Sequence, residues 1–300
     1  MSHQTANATR VLKIDPRKNE ISYIGPSYPG IQKWYGGLLG SDGCIYGIPH
    51  NATGVLKINP ATQSCSILGE GTLPEGKWKW HGGLSVCHGT RIIGFPNNAD
   101  SVLVVDVMDQ RVYTVGGGSG SGSASASSDL LTHSGRHRIP QDGRYKYLGG
   151  ASTLDGKFSY LFPCDAERVL RIDNETLEMK LVGPELLEGE NKYQNGFVAR
   201  DGCLYGIPQR ASGVLRIMPG YLFKKDEISA DSDGDSSTLT TDSGEEDHVD
   251  VLYCGEDMVH TKDKFEGGVM GGDGNIYCMP LRAKALLKVI PGSDRTIQSA

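Results

Sequence analysis

Residues 33–60, KWYGGLLGSDGCIYGIPHNATGVLKINP, carry four marks in a row. The first is a lysine, an aromatic, a variable residue and two small residues. It recurs as Lys33-Trp34-Tyr35-Gly36-Gly37, Lys79-Trp80-His81-Gly82-Gly83, Lys146-Tyr147-Leu148-Gly149-Gly150, Lys192-Tyr193-Gln194-Asn195-Gly196 and Lys264-Phe265-Glu266-Gly267-Gly268. A glycine pair follows at Asp42-Gly43, His88-Gly89, Asp155-Gly156, Asp201-Gly202 and Asp273-Gly274. Next comes a short apolar run ending at Pro49, Pro96, Pro163, Pro208 and Pro280, and last a Val-Leu-x-Ile-like run starting at Val11, Val55, Val102, Val169, Val214 and Leu286.

Each mark has a physical meaning. Asp-Gly between two apolar runs predicts a hairpin, because its glycine accepts the positive φ of a tight turn. The segment from Gly-Gly to proline is therefore read as strands a and b. The Val-Leu-x-Ile run is strand c, followed by Asp-Pro or Asn-Pro turns in which proline presets φ and the side chain bonds the backbone. A strand d follows at 21–25, 65–69, 112–116, 179–183 and 251–255. Four antiparallel strands in a unit of 46 residues, the spacing from Gly37 to Gly83, predict an all-β β-propeller of five to six four-stranded blades. Strand a is expected innermost, where crowding near the axis excludes side chains and so selects glycine.

The second glycines lie 46, 67, 46 and 72 residues apart, so two units carry inserts within a single domain spanning 1–300. The first, about 117–143, is rich in Gly and Ser; the second, about 225–250, is acidic, and both are expected to be disordered surface excursions. Residues 230–250 hold eight acids and no Lys or Arg, which turns a net charge of −6 for the whole chain into +2 for the remainder. The N-terminal c and d strands have no a–b pair of their own, so either a two-stranded sixth blade closes the ring or the array is longer.

With 41 glycines and no apolar run long enough to span a bilayer, the composition describes short strands and turns, with no membrane partner expected. The start, MSHQTANATR, lacks the apolar core of a secretory signal, and a cytoplasmic location is expected. The seven cysteines stand singly, which predicts free thiols rather than a disulfide framework or a zinc site. A near-neutral body without a basic stripe gives no reason to expect nucleic acid.

The run Lys-Trp-x-Gly-Gly, Asp-Gly-x-Ile-Tyr-Gly-Ile-Pro, Val-Leu-x-Ile-Asp-Pro resembles the repeats of uncharacterised propellers from microbial eukaryotes and bacteria. More loosely it is similar to the virginiamycin B lyase-like, SMP-30-like and kelch groups. The resemblance covers nearly the whole chain outside the inserts, and it implies a fold more than a function, since propellers host lyases, lactonases and scaffolds alike. No copy displays the extra carboxylate and histidine ligands of the lyase or lactonase groups.

Candidate ligand-binding residues are those that vary between blades or repeat a charge. The variable position holds Tyr35, His81, Leu148, Gln194 and Glu266, and His81 with Glu266 forms a conceivable metal or acid/base pair. Lys33, Lys79, Lys146, Lys192 and Lys264 could form a cationic ring for a small anionic ligand, or lay their stems on the neighbouring aromatics. Neither a metal nor another cofactor is expected: Asp231-Ser-Asp233-Gly234-Asp235 departs from a calcium loop, its glycine standing fourth with no later glutamate. Ser232 and Ser243 fit acid-directed phosphorylation. The reading is a non-catalytic binding or scaffolding module engaging a protein partner or a small anionic ligand at the channel mouth. Its alternative is a propeller enzyme, a lyase or hydrolase with a site on the axis.

Overall fold

In the computed structural model the described residues are 7–117, 143–223, 246–254, 261–292 and, as backbone, 297–299. They form antiparallel sheets, and helix among them is confined to short 3-10 turns such as Cys87–Gly89 and Gly220–Phe223. A two-stranded sheet comes first, β1 (Val11–Asp15) with β2 (Glu20–Ile24). Five four-stranded meanders follow. Sheet 1 is β3 (Trp34–Leu39), β4 (Ile45–Pro49), β5 (Val55–Asn59) and β6 (Ser64–Leu68). Sheet 2 is β7 (Trp80–Val86), β8 (Arg91–Pro96), β9 (Val102–Asp106) and β10 (Arg111–Val115). Sheet 3 is β11 (Tyr147–Ser152), β12 (Phe158–Pro163), β13 (Val169–Asp173) and β14 (Met179–Val182). Sheet 4 is β15 (Tyr193–Val198), β16 (Leu204–Pro208), β17 (Gly213–Met218) and β18 (His248–Tyr253). Sheet 5 is β19 (Phe265–Met270), β20 (Ile276–Pro280), β21 (Leu287–Val289) and β22 (Ile297–Ser299).

The Asp-Gly pairs are the a–b turns. Gly43, Gly156, Gly202 and Gly274 have φ between 73° and 81°. In three sheets the aspartate also accepts from a tyrosine three residues past that glycine: Tyr46 to Asp42 at 2.8 Å, Tyr205 to Asp201 at 2.6 Å and Tyr277 to Asp273 at 2.8 Å. The Asp-Gly-x-x-Tyr spacing is thus a side-chain clasp across the turn, an interaction the sequence reading did not foresee. Sheet 2, with His88-Gly89, makes the same turn through positive φ at Cys87, His88 and Gly89.

The strands nearest the centre, β3, β7, β11, β15 and β19, pack side by side in chain order. Their two small residues answer to different neighbours. A Cβ on Gly149 would fall 2.5 Å from the Asn195 backbone nitrogen of the adjoining sheet, whereas one on Gly268 would fall 2.7 Å from the Tyr277 carbonyl of its own sheet. Between sheets lies a continuous apolar filling. Leu103 and Val105 of β9 share a cluster with Tyr46 and Ile48 of β4, and Leu170 and Ile172 of β13 share one with Ile93 and Phe95 of β8. The same relation joins Leu215 and Ile217 to Tyr160 and Phe162, then Leu287 and Val289 to Tyr205 and Ile207. Strand c of each of sheets 2 to 5 therefore packs on strand b of the sheet before it.

The second insert was expected to run to residue 250. Strand β18 begins earlier, at His248, because Arg216 holds Asp250 in a two-pronged pair and Arg171 bonds Asp247 at 2.9 Å. Most of both inserts, with Ser232, Ser243 and the calcium-like run, lies outside the described residues. All seven cysteines are free.

Candidate functional site

Every innermost strand breaks register at the same place. Trp34 pairs with Pro49 but Gly37 with Gly47, and the corresponding break follows Trp80, Tyr147, Tyr193 and Phe265. One extra residue on strand a is a β-bulge, which frees a side chain from the ladder and re-aims it. The variable residues Tyr35, His81, Leu148, Gln194 and Glu266 stand at these bulges.

The structure brings most of them together. Tyr35, His81, Leu148 and Gln194, with Asn195 and glycines of β3, β7 and β11, line one cavity of about 210 Å³. The rings of Tyr35 and His81 meet edge to face with centroids 3.7 Å apart. Glu266 belongs to the far end of the series, yet its charge reaches this cluster: burial first, then the Glu266 carboxylate, raise the Tyr35 hydroxyl above its ordinary pKa. The first and last inner strands thus come within electrostatic reach. His81 has its ring contacts with Tyr35 and His50, and among the described residues no group of three or more His, Cys, Asp or Glu is placed to hold a metal ion.

The five lysines are placed differently from a cationic ring. Lys33, Lys79, Lys146, Lys192 and Lys264 are all buried. Their ammonium groups donate to the carbonyl oxygen three residues earlier: Gly30 at 2.9 Å, Gly76 at 3.5 Å, Gly143 at 3.0 Å, Gly189 at 3.0 Å and Thr261 at 3.1 Å. Lys79 also reaches Ala52 O in sheet 1, and Lys146 reaches Asn98 O and the Asp100 carboxylate in sheet 2. The residue before each lysine, Gln32, Trp78, Tyr145, Asn191 or Asp263, has φ between 49° and 59°, which turns the loop carbonyls onto the ammonium. Burial lowers the pKa of Lys33, Lys79, Lys192 and Lys264. The aromatics beside them, Trp80, Tyr147, Tyr193 and Phe265, are fully buried between sheets, and Trp34 is partly buried.

A second ring of positions, unnoticed in the sequence, faces the lysines. The residue after each proline is His50, Asn97, Cys164, Gln209 or Leu281. Its N–H donates to the lysine carbonyl of its own sheet, and in the first four its C=O accepts the lysine N–H of the next sheet. His50 lies against Trp78 (centroids 4.7 Å), Tyr35 (5.9 Å) and His81 (5.9 Å), and Trp78 meets Tyr145 edge-on at 5.8 Å. Asn97 and Gln209 hold the equivalent places in sheets 2 and 4 and are buried. Neither polar atom of the Asn97 amide, nor Oε1 of Gln209, has a hydrogen-bond partner among the described residues. Burying a polar group without one costs free energy. The signal that could have revealed this ring is the mixed polarity directly after an otherwise invariant proline.

No family model and no curated protein matches the chain. Solved structures do. The virginiamycin B lyase of Staphylococcus aureus superposes with a TM-score of 0.61 at 13% identity, over 98% of this chain and 78% of that one. A streptogramin B lyase gives 0.60 at 14% identity over 100% and 77%. The periplasmic gluconolactonase of Pseudomonas aeruginosa gives 0.53 at 13% over 96% and 75%. The fold is a β-propeller. At such identities the likeness is one of fold alone, and the propeller's site must be judged on its own residues. Among the described residues no helix is long and apolar enough to cross a membrane.

Proposed function

We propose that this propeller is a binding module whose cavity, lined by Tyr35, His81, Leu148 and Gln194 and flanked by the rings of His50 and Trp78, engages a protein loop or a small molecule. The observation that carries the reading is the cavity of about 210 Å³ lined by Tyr35, His81, Leu148 and Gln194, beside a cluster of aromatic and imidazole rings. The Gln194 amide, which lines the cavity, can both donate to and accept from a ligand, and the rings supply apolar stacking area. A primary or secondary amide or a carboxamide-bearing ring meets both demands. The small anionic ligand anticipated from the lysines loses its main support, because those ammonium groups already serve loop carbonyls.

A second reading keeps the same site and makes it catalytic, drawing on the lyase and gluconolactonase among the similar folds and on the adjoining imidazoles of His50 and His81. One experiment addresses both. Purified protein is titrated with a panel of amides, lactones and short peptides while Trp fluorescence is followed, and each mixture is then checked by mass spectrometry. Saturable quenching lost in Trp78→Ala and weakened in Gln194→Leu, with the ligand recovered unchanged, supports the module. Turnover of a lactone or cyclic ester that disappears in His81→Ala supports the enzyme. Binding indifferent to all three substitutions defeats both.

A further inference from the structure

The first sheet differs from the other five in what it lacks. In sheets 1 to 5, strand c is paired on one side by strand d and on the other by strand b. β1, whose sequence VLKID matches the VLKIN of β5, pairs among the described residues with β2 alone. Among the described residues nothing pairs with its other edge, which is a template for a further strand.

Three side-chain observations surround that edge. Lys57 of β5 pairs with Asp42 of its own a–b turn at 3.0 Å, and Lys288 of β21 with Asp273 at 3.6 Å. Lys13 is the same residue at the same position, and among the described residues it has no acid partner. Trp34 is partly buried where Trp80, Tyr147, Tyr193 and Phe265 are sealed by strand b of the preceding sheet. Finally, Leu12, Ile14, Ile21 and Tyr23 share one face, paired across the strands as Leu12 with Tyr23 and Ile14 with Ile21, and are 49%, 65%, 69% and 59% exposed. Their counterparts Leu103 and Val105 are 0% exposed. On sheet 5, Met279 stands where Ile48, Phe162 and Ile207 are buried, and is 52% exposed.

We propose that the β1 edge is a docking site for a β-hairpin of the a–b type donated by another polypeptide, with an Asp-Gly turn and a return strand of the pattern Ile-Tyr-Gly-Ile-Pro. The site continues a series of interfaces already established along the chain, and five internal copies specify its occupant. The ladder is that of sheet 1, where Ile45, Tyr46 and Gly47 oppose Ile58, Lys57 and Leu56, so the docked strand opposes Ile14, Lys13 and Leu12. The turn aspartate answers Lys13, and the apolar side chains of the return strand cover Trp34. The completed sheet then has a full face to set against Met279 and its neighbours. Strand addition of this kind draws affinity from main-chain hydrogen bonds and specificity from alternate side chains. The inference does not depend on the ligand at the mouth.

The probe is a fluorescein-labelled synthetic peptide with the sequence of residues 33–50, titrated with the full chain in fluorescence anisotropy. Saturable binding is expected, about fivefold weaker with Lys13→Glu protein and restored when the peptide carries Asp42→Lys. A Gly47→Pro peptide, which cannot complete the ladder, should not bind. Absence of saturable binding, or binding that ignores the charge exchange, overturns the proposal. So does concentration-dependent dimerisation abolished by Leu12→Glu, which assigns the face to a second copy. Slow hydrogen exchange of the outward β1 amides in the free monomer also overturns it, because the edge would then already be covered from within the chain.

Discussion

The ammonium of Lys79 donates to the carbonyl oxygen of Ala52 at 2.7 Å, reaching back from one sheet into the loop of the sheet before it. Lys146 does the same toward Asn98 and Asp100. These two lysines fasten sheet 2 to sheet 1 and sheet 3 to sheet 2, where no apolar side chain could satisfy a converging set of carbonyls.

Lys146→Met should therefore destabilise the protein by about 1–3 kcal/mol, since it removes the buried ammonium that serves the Gly143 and Asn98 carbonyls, while the half-exposed Asp100 carboxylate is solvated without it. Lys18→Met, on an exposed turn, should change stability by less than about 0.5 kcal/mol. Urea unfolding of the two variants beside the parent measures both; equal midpoints would remove the lysine from the stabilising account.

Asp42 predicts an acid limb. Partial burial alone would raise its pKa, but hydrogen bonds from Lys57, Tyr46 and the Cys44 N–H outweigh it and hold the carboxyl at about 2. Its folded pKa lies below its unfolded value, so the stabilisation is in place above the usual carboxylate range and is lost as pH falls through about 2. Asp42→Asn should flatten the stability profile between about pH 4 and pH 2, measured by thermal melts across that window. An unchanged slope would mean the clasp contributes nothing.

An alkaline limb follows from Cys278. Burial, with a smaller effect from Cys254, pushes its thiol up to about 12. The unfolded thiol ionises first, so the stabilisation is complete below the ordinary thiol pKa and is lost as pH rises toward 12. Under reducing conditions, Cys278→Ala should lose stability less steeply than the parent above about pH 9 in denaturant titrations.

One turn holds its own control for backbone strain. Gly274 has φ 78°, while a Cβ on Gly272, two residues earlier, would meet nothing within 4 Å and its φ is not left-handed. Gly274→Val should cost about 1–3 kcal/mol and Gly272→Val almost nothing. Identical urea midpoints for the pair would contradict the assignment of Asp273-Gly274 as the hairpin turn.

The strands were legible because each is bracketed by residues with one physical use: Asp-Gly for a positive φ, proline to end strand b, Gly-Gly where backbones crowd. The site was legible only in outline. The variable residue after the aromatic marked the bulge without naming it, and Tyr35 and His81 do meet. The lysines left a cationic ring and a structural role both open, because repetition shows that a charge is needed in every unit, not which way it points. The direction is set by left-handed residues such as Trp78 and Tyr145, whose φ no residue type announces. Asn97 and Gln209 escaped notice because an amide after a proline resembles ordinary turn chemistry until its burial is known.

The bulge on every inner strand has an evolutionary reach. A residue counted out of the ladder is under no obligation to its partner strand, which is why tyrosine, histidine, leucine, glutamine and glutamate occupy the same place in one chain. Recognition can then drift while architecture stands still. The five positions amount to a panel of interchangeable heads on a common chassis, and grafting the head of one unit onto another should alter what the molecule greets without asking the scaffold to be rebuilt.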